Sequence, residues 1–221
     1  MEKPAVIFDL DGTLVDTIAD IRLAVEASVT DLGLGSLSNE LVKTYVGRGL
    51  ANTLRGVLSS FSITVTEDEL RERTGRLVEY YRRHAVVESR PYDGIIELLE
   101  RQQEAGMPLG VLSNKEDGLA KSIVATLLPT IEFVLVRGQR SGREIKPHPS
   151  TIGEFCDLLG RSPDTMLYVG DSEVDWQTAK AASVPVILVG WGFRPREALR
   201  ALEGALFVDT VDELEEAING V

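Results

Sequence analysis

From Ala5 to Phe8 four apolar residues run unbroken into Asp9. That continuity predicts a strand buried on both faces of a parallel sheet. Residues 17 to 85 carry a different rhythm, with apolar positions at helical spacing and nothing that reads as a strand. Ile18 to Ala27 has one apolar face and ends near Gly33. Ser38 is a good N-cap for a helix with Leu41, Val42 and Tyr45 on one side. Gly47-Arg48-Gly49 interrupts it, and Leu50 to Ser59 is helical again. Thr66 to Glu69 has the form of a capping box that opens a long helix to His84.

From Pro91 onward helix and strand alternate. Predicted strands are Pro108–Leu112, Phe133–Val136, Thr165–Val169, Pro185–Val189 and Leu206–Val208. Predicted helices are Asp93–Glu104, a helix to about Leu127, Ser150–Leu159, Glu173–Ala182 and Val211–Ile218. Arg137 to Pro149 reads as a polar, basic, solvated loop. Alternation of this kind implies right-handed crossovers and an α/β fold, a Rossmann-like parallel sheet with helices on both faces. The helical stretch after the first strand reads as an inserted module. The expected division is a core of residues 1–16 and 86–221 and an insert of residues 17–85.

The chain has 221 residues, enough to bury a sizeable core without disulfides, and its single cysteine can form none internally. A formal charge of −12 argues against nonspecific binding to nucleic acid or to an anionic membrane surface. The first apolar run is too short for a secretion signal, so a cytoplasmic location is expected. Monomer and homodimer are both open.

The polar residues at the strand ends carry the chemistry. The first strand delivers Asp9 and Asp11, followed by Gly12 and Thr13. The second delivers Ser113, Asn114 and Lys115 at the expected start of a helix. The basic loop delivers Lys146, and the fourth strand delivers Asp171, with Asp175 one helical turn on. Taken singly, each has an ordinary role. Asp11-Gly12 is a hairpin-turn signal, Ser113-Asn114 a helix cap, Lys146 a surface charge, and Asp175 a complement to a helix dipole. In a parallel sheet, however, all these strand ends share one edge, where ligands bind. Four carboxylates meeting there need a cation, and oxygen-only ligands suit Mg²⁺. A hydroxyl and a lysine suit a phosphate.

Asp9-Leu10-Asp11-Gly12-Thr13-Leu14-Val15-Asp16, Ser113-Asn114-Lys115, Lys146-Pro147 and Gly170-Asp171-Ser172-Glu173-Val174-Asp175 together resemble the motifs of the haloacid dehalogenase superfamily, in its phosphatase branch. The insert resembles that superfamily's helical cap. Val46-Gly47-Arg48-Gly49, Ser113-Asn114-Lys115 and Gly190-Trp191-Gly192-Phe193-Arg194 are most similar to phosphoglycolate phosphatases. The resemblance implies Asp9 as nucleophile, Asp11 as general acid and base, and Lys146 as the charge that holds the nucleophile. It implies Mg²⁺ on the Asp9 carboxylate, the Asp11 carbonyl and Asp171, with Asp175 ligating or orienting. Thr13, Ser113 and Asn114 are expected at the phosphate, with Lys115 and Arg48 toward the rest of the substrate. The implied substrate is a small phosphorylated metabolite, 2-phosphoglycolate first. Pyrophosphatase, 5′-nucleotidase, sugar-phosphate phosphatase or mutase, and a non-catalytic phosphate-binding protein are the alternatives.

Overall fold

The structure is a computed structural model and describes residues 3–220. In chain order it comprises β1 (Ala5–Phe8), β2 (Val15–Asp16), α1 (Ile18–Ser28), α2 (Asn39–Lys43), α3 (Leu50–Ser60), α4 (Glu67–Arg83), β3 (Arg90–Pro91), α5 (Ile95–Glu104), β4 (Leu109–Glu116), α6 (Asp117–Leu127), β5 (Phe133–Gln139), α7 (Ser150–Leu159), β6 (Met166–Gly170), α8 (Glu173–Ala182), β7 (Val186–Val189), α9 (Arg196–Arg200), β8 (Ala205–Val208) and α10 (Val211–Asn219). The main sheet has the order β5-β4-β1-β6-β7-β8, and its neighbours pair in parallel. β1 lies in the middle, with β4 on one side and β6 on the other. The strand order therefore reverses beside β1, and the crevice at its carboxyl end is where such sheets bind ligands.

Alternation along β1 explains the layers. Val6 and Phe8 face one core with residues of α5, α6, α10 and the helices α1–α4. Ala5 and Ile7 face the other, with Ile152 and Phe155 of α7 and Ala179 of α8. Both faces of β1 are buried, as its unbroken apolar run requires.

The helices of the insert begin where the sequence places their caps. Ser38 accepts the Leu41 N–H, and Thr66 and Glu69 form a reciprocal capping box on α4. The insert is bracketed by a ribbon the sequence reading lacks: β2 pairs antiparallel with β3, Val15 opposite Pro91 and Asp16 opposite Arg90. Inside it, Asp20 of α1 receives the N–H groups of Val87 (3.0 Å), Glu88 (3.0 Å) and Ser89 (2.9 Å) and the Ser89 hydroxyl (2.6 Å). The two chain crossings between sheet and insert are thus tied to each other. Among the described residues no helix is long and apolar enough to cross a membrane.

Two expectations are corrected. β4 does not end at Leu112; it continues to Glu116, and the cap of α6 is Glu116, whose carboxylate accepts the Leu119 N–H. Ser113 and Asn114 therefore sit on a strand end and cap no helix. β5 likewise runs past Val136 to Gln139, because the longer β4 gives it a partner, Leu112 opposite Arg137 and Glu116 opposite Gln139. Arg137 is consequently buried rather than solvated. Its Nη2 donates to the Glu144 carbonyl at 2.6 Å, and its Nε lies 3.1 Å from Glu154.

Candidate active site

The end of β1 is locked before any side chain is considered. The Asp9 N–H donates to the Val169 carbonyl at 2.8 Å, which carries the pairing with β6 one residue beyond the strand. Asp11-Gly12 makes a tight turn, not a hairpin: β1 pairs with β4 and β6, and the Gly12 N–H closes onto the Val15 carbonyl at 2.9 Å. Gly12 has φ +87°, and a Cβ there would lie 2.4 Å from Asp171 Oδ2. Conformation and crowding both require glycine.

Two charge clusters result. In the first, Lys146 Nζ lies 2.8 Å from Asp9 Oδ1 and 2.8 Å from Asp175 Oδ1. Asp175 also accepts from the Tyr168 hydroxyl (3.1 Å), the Ser172 hydroxyl (2.6 Å) and the Ser172 N–H (3.1 Å). Both of its oxygens are engaged by donors. Asp171 Oδ2 accepts the Phe193 N–H at 2.7 Å, and the Thr13 hydroxyl is 3.5 Å from Oδ1. Carboxylate oxygens of Asp9, Asp171 and Asp175 lie within 4.8 Å of one another, all buried.

Burial pushes the Asp9 carboxyl up; Lys146 pulls it down, but the charges of Asp175, Asp171 and Asp11 leave it well above its ordinary value. Burial and the neighbouring Asp175 push Asp171 up to about 7. Burial lowers Lys146, yet Asp175 and Asp9 more than compensate and keep it charged. One ammonium faces three buried carboxylates, an imbalance that a cation would remove. The oxygen-only donor set fits a hard divalent ion, with Asp9 and Asp171 better placed to offer oxygens than the engaged Asp175.

The second cluster surrounds Asp11. Lys115 Nζ donates to Asp11 Oδ1 at 2.7 Å and to the Tyr81 hydroxyl of α4 at 2.9 Å. The Thr17 hydroxyl makes a short hydrogen bond to the same Asp11 oxygen. The Ser113 hydroxyl lies 3.4 Å from Asp11 Oδ2. Burial lowers Lys115, but Asp11 and Tyr81, each through charge and through a hydrogen bond, together outweigh it and leave the ammonium above its ordinary value.

A pocket lies over both clusters, floored by Asp9, Asp11, Ser113, Lys146 and Asp171 and roofed by Val46, Gly47, Gly49 and Leu50 of the insert. Asn114 and Lys115 line it as well; Thr13 lies beneath, against Asp171, and is fully buried. Arg48 does not line it. Its side chain is 57 % exposed and its guanidinium stands 3.9 Å from Glu173. The guanidinium that does line the pocket is Arg194, which donates to Glu173 (2.9 Å) and to the Lys43 carbonyl (2.9 Å). Tyr81 and Tyr168 carry no site role in the sequence reading, and Arg194 enters it only as the last residue of the Gly190–Arg194 motif. A tyrosine pair in α4 and an arginine after the Gly190-Trp191-Gly192 turn were the available signals.

A profile of haloacid dehalogenase-like hydrolases matches residues 6–189. A phosphoglycolate phosphatase of Aquifex aeolicus is 35 % identical over 192 residues, 85 % of each chain. One from Mesorhizobium japonicum is 29 % identical over 214 residues, 97 % of this chain and 94 % of its own. A crystal structure from Lactobacillus delbrueckii subsp. bulgaricus, proposed to be a phosphoglycolate phosphatase, superposes with a TM-score of 0.87 over 99 % of both chains at 31 % identity. The chain belongs to the haloacid dehalogenase-like hydrolases and groups there with phosphatases.

Proposed function

We propose that this protein is a Mg²⁺-dependent phosphomonoester hydrolase that works through an aspartyl-phosphate on Asp9, with 2-phosphoglycolate as its leading substrate. The observation that carries the reading is Asp9 at the end of β1, gripped by Lys146 at 2.8 Å and facing a pocket that the insert roofs. The relatives named for 2-phosphoglycolate hydrolysis support the substrate. In this reading residues 17–85 act as the cap.

A carboxylate oxygen of Asp9 attacks phosphorus and displaces the alcohol, splitting one hard hydrolysis into two easier steps. Asp11 gives its proton to the departing alkoxide, then takes one from the water that cleaves the acyl phosphate. Lys146 keeps Asp9 oriented and offsets charge on the transferring phosphoryl group. Ser113 and the backbone around Thr13 hold phosphoryl oxygens. Asp9, the Asp11 carbonyl and Asp171 would hold the ion, while Asp175 orients Lys146 and the turn at Ser172. Bound there, Mg²⁺ supplies neutralising charge for the carboxylates and the phosphoryl oxygens. Arg194 lines the pocket while its Nε, Nη1 and Nη2 donate to Glu173 and to the Lys43 and Val46 carbonyls, so a carboxylate on the leaving alcohol would meet it through its remaining N–H groups. Arg48 stands outside the pocket lining and would reach it only after a change of rotamer.

The test is phosphate release from a panel of 2-phosphoglycolate, sugar phosphates, nucleotides and pyrophosphate, with Mg²⁺ or a chelator, beside Asp9→Asn. Release that needs both Mg²⁺ and Asp9, with preference for 2-phosphoglycolate, is the expected result. Preference for another ester moves the substrate assignment, and release that survives Asp9→Asn removes the nucleophile.

A further inference from the structure

Asn114 stands beside the pocket, in the position where the motif leads one to expect a phosphate ligand. Its side chain is otherwise committed. Nδ2 donates to the Gly47 carbonyl of the insert at 2.9 Å and to the Lys146 carbonyl at 3.0 Å. Oδ1 accepts the Lys146 N–H at 2.9 Å. A primary amide has two N–H donors, and both are used on backbone carbonyls. Nothing is left on that side chain to donate to a phosphoryl oxygen.

The three partners are not equivalent in kind. Two are the main-chain N–H and C=O of Lys146, whose ammonium grips Asp9 and Asp175. The amide therefore fixes the main chain from which that side chain springs. The third belongs to the loop that roofs the pocket. That loop is itself tied down. The Tyr45 carbonyl accepts from the Thr53 hydroxyl (3.2 Å), the Val46 carbonyl from Arg194 (2.5 Å) and the Arg48 carbonyl from Asn52 Nδ2 (2.8 Å). Gly49 follows with φ +86°, so close to the strand end that a Cβ would meet Gln139 Oε1 at 3.1 Å and the Asn114 carbonyl at 3.5 Å. The Gly47 carbonyl is a fixed acceptor, presented to Asn114 only while the roof is seated.

We propose that Asn114 is a positioning residue that couples seating of the roof loop to placement of the Lys146 ammonium beside Asp9, and that it is not itself a phosphate ligand. With the loop seated, one Nδ2 hydrogen is held by Gly47, which fixes the amide plane and thereby the paired bonds to Lys146. With the loop lifted, that restraint is gone and Lys146 is free to drift. Asp9 is then less well held until the pocket is covered. This inference rests on the roles proposed above for Asp9 and Lys146.

The experiment compares wild type, Asn114→Ala, Asn114→Asp, Lys146→Met and the Asn114→Ala/Lys146→Met double variant. Each is assayed for kcat and KM on 2-phosphoglycolate, for binding of inorganic phosphate, and for amide hydrogen exchange at residues 44–49 and at Lys146. Misplacing a catalytic group by ~1 Å costs about 10²-fold, so Asn114→Ala lowers kcat by about that factor with KM changed less than about threefold. Asn114→Asp keeps the shape but offers no donor to the two carbonyls, and falls with it. In the Lys146→Met background the further change at Asn114 costs less than about twofold in rate and in phosphate affinity, because the two residues act as one unit. Exchange at residues 44–49 and at Lys146 quickens in both Asn114 variants. Equal losses in the two backgrounds would make Asn114 a direct phosphate ligand and overturn the proposal. So would a change in KM alone, or a wild-type-like Asn114→Asp. A wild type that hydrolyses no ester defeats the phosphatase reading instead; the exchange data still decide the coupling, with unchanged protection at Lys146 overturning it.

Discussion

Asp20 gives the sharpest stability prediction because its carboxylate is only 2 % exposed and its partners can be enumerated by atom. Oδ2 accepts the Val87 N–H (3.0 Å), the Ser89 N–H (2.9 Å) and the Ser89 hydroxyl (2.6 Å), while Oδ1 takes the Glu88 N–H (3.0 Å). Ser89 is fully buried, whereas Val87 and Glu88 can turn toward water. Asp20→Ala therefore strands one buried N–H and one buried hydroxyl, each costing ~1–3 kcal/mol, for a total of about 2–6 kcal/mol. Asp20→Asn can keep its oxygen in the Oδ2 position, but then sets an NH₂ against the Glu88 N–H; about 1–2 kcal/mol is expected.

The pH dependence has a definite sign. Burial raises the Asp20 carboxyl, and hydrogen bonds from the Ser89 hydroxyl and from the Glu88, Val87 and Ser89 N–H groups outweigh it, leaving the pKa below its ordinary value. A carboxylate with a depressed folded pKa stabilises fully above the unfolded value near ~3.9 and loses that contribution as pH falls through the folded value. Urea unfolding at pH 7 should rank wild type above Asp20→Asn above Asp20→Ala, and the gap between wild type and Asp20→Asn should hold at pH 5 and narrow below pH ~4. An Asp20→Ala protein within ~0.5 kcal/mol of wild type, or a gap that widens on acidification, would refute the reasoning.

Further predictions concern the site. Gly12→Ala places a Cβ 2.4 Å from Asp171 Oδ2 at φ +87°, so turnover should fall by about 10²-fold or more in steady-state assays. Lys146→Met should lower kcat by about 10²–10³-fold, the range for removing one preorganised charge from a reacting centre. Saturating Mg²⁺ at about 100 times its Kd should add ~2.7 kcal/mol and raise the melting temperature by about 5–10 °C, an increment that Asp171→Asn should abolish. Absence of any Mg²⁺-dependent shift in differential scanning would count against the metal site.

The parts of the fold legible in the sequence are those set by local pattern. Ala5–Phe8 and Val186–Val189 are apolar throughout because both faces of the sheet are covered, and such runs announce themselves. Ser38 and Thr66 cap helices through bonds within one turn. What escaped is set by pairing between distant segments. Val15 and Asp16 form a strand only because Arg90 and Pro91 return beside them. Ser113 to Glu116 is polar and looks like a helix start, yet it stays in β4, bulging between the pairs that Leu112 and Glu116 make with Arg137 and Gln139 of β5. Arg137 carries a charge in a basic stretch, and its partners when buried, the Glu144 carbonyl and Glu154, lie 7 and 17 residues away. At the site, Asp9, Asp11 and Asp171 were readable because each stands at or just past a strand end, Asp175 because it follows Asp171 into the first turn of α8, and Lys146 because it sits between β5 and α7 on the same edge. Tyr81 reaches Lys115 across the boundary between insert and sheet, a contact no periodicity in α4 encodes.

The central claim is that Asp9 accepts the phosphoryl group. Its most direct test is rapid acid quench of the enzyme turning over 2-phosphoglycolate with Mg²⁺, followed by mass spectrometry of the peptide that contains Asp9 and Asp11. The account predicts a phosphoryl adduct on Asp9 in the wild type that is lost in Asp9→Asn. An adduct on Asp11, or full turnover by Asp9→Asn with no adduct anywhere, would contradict it.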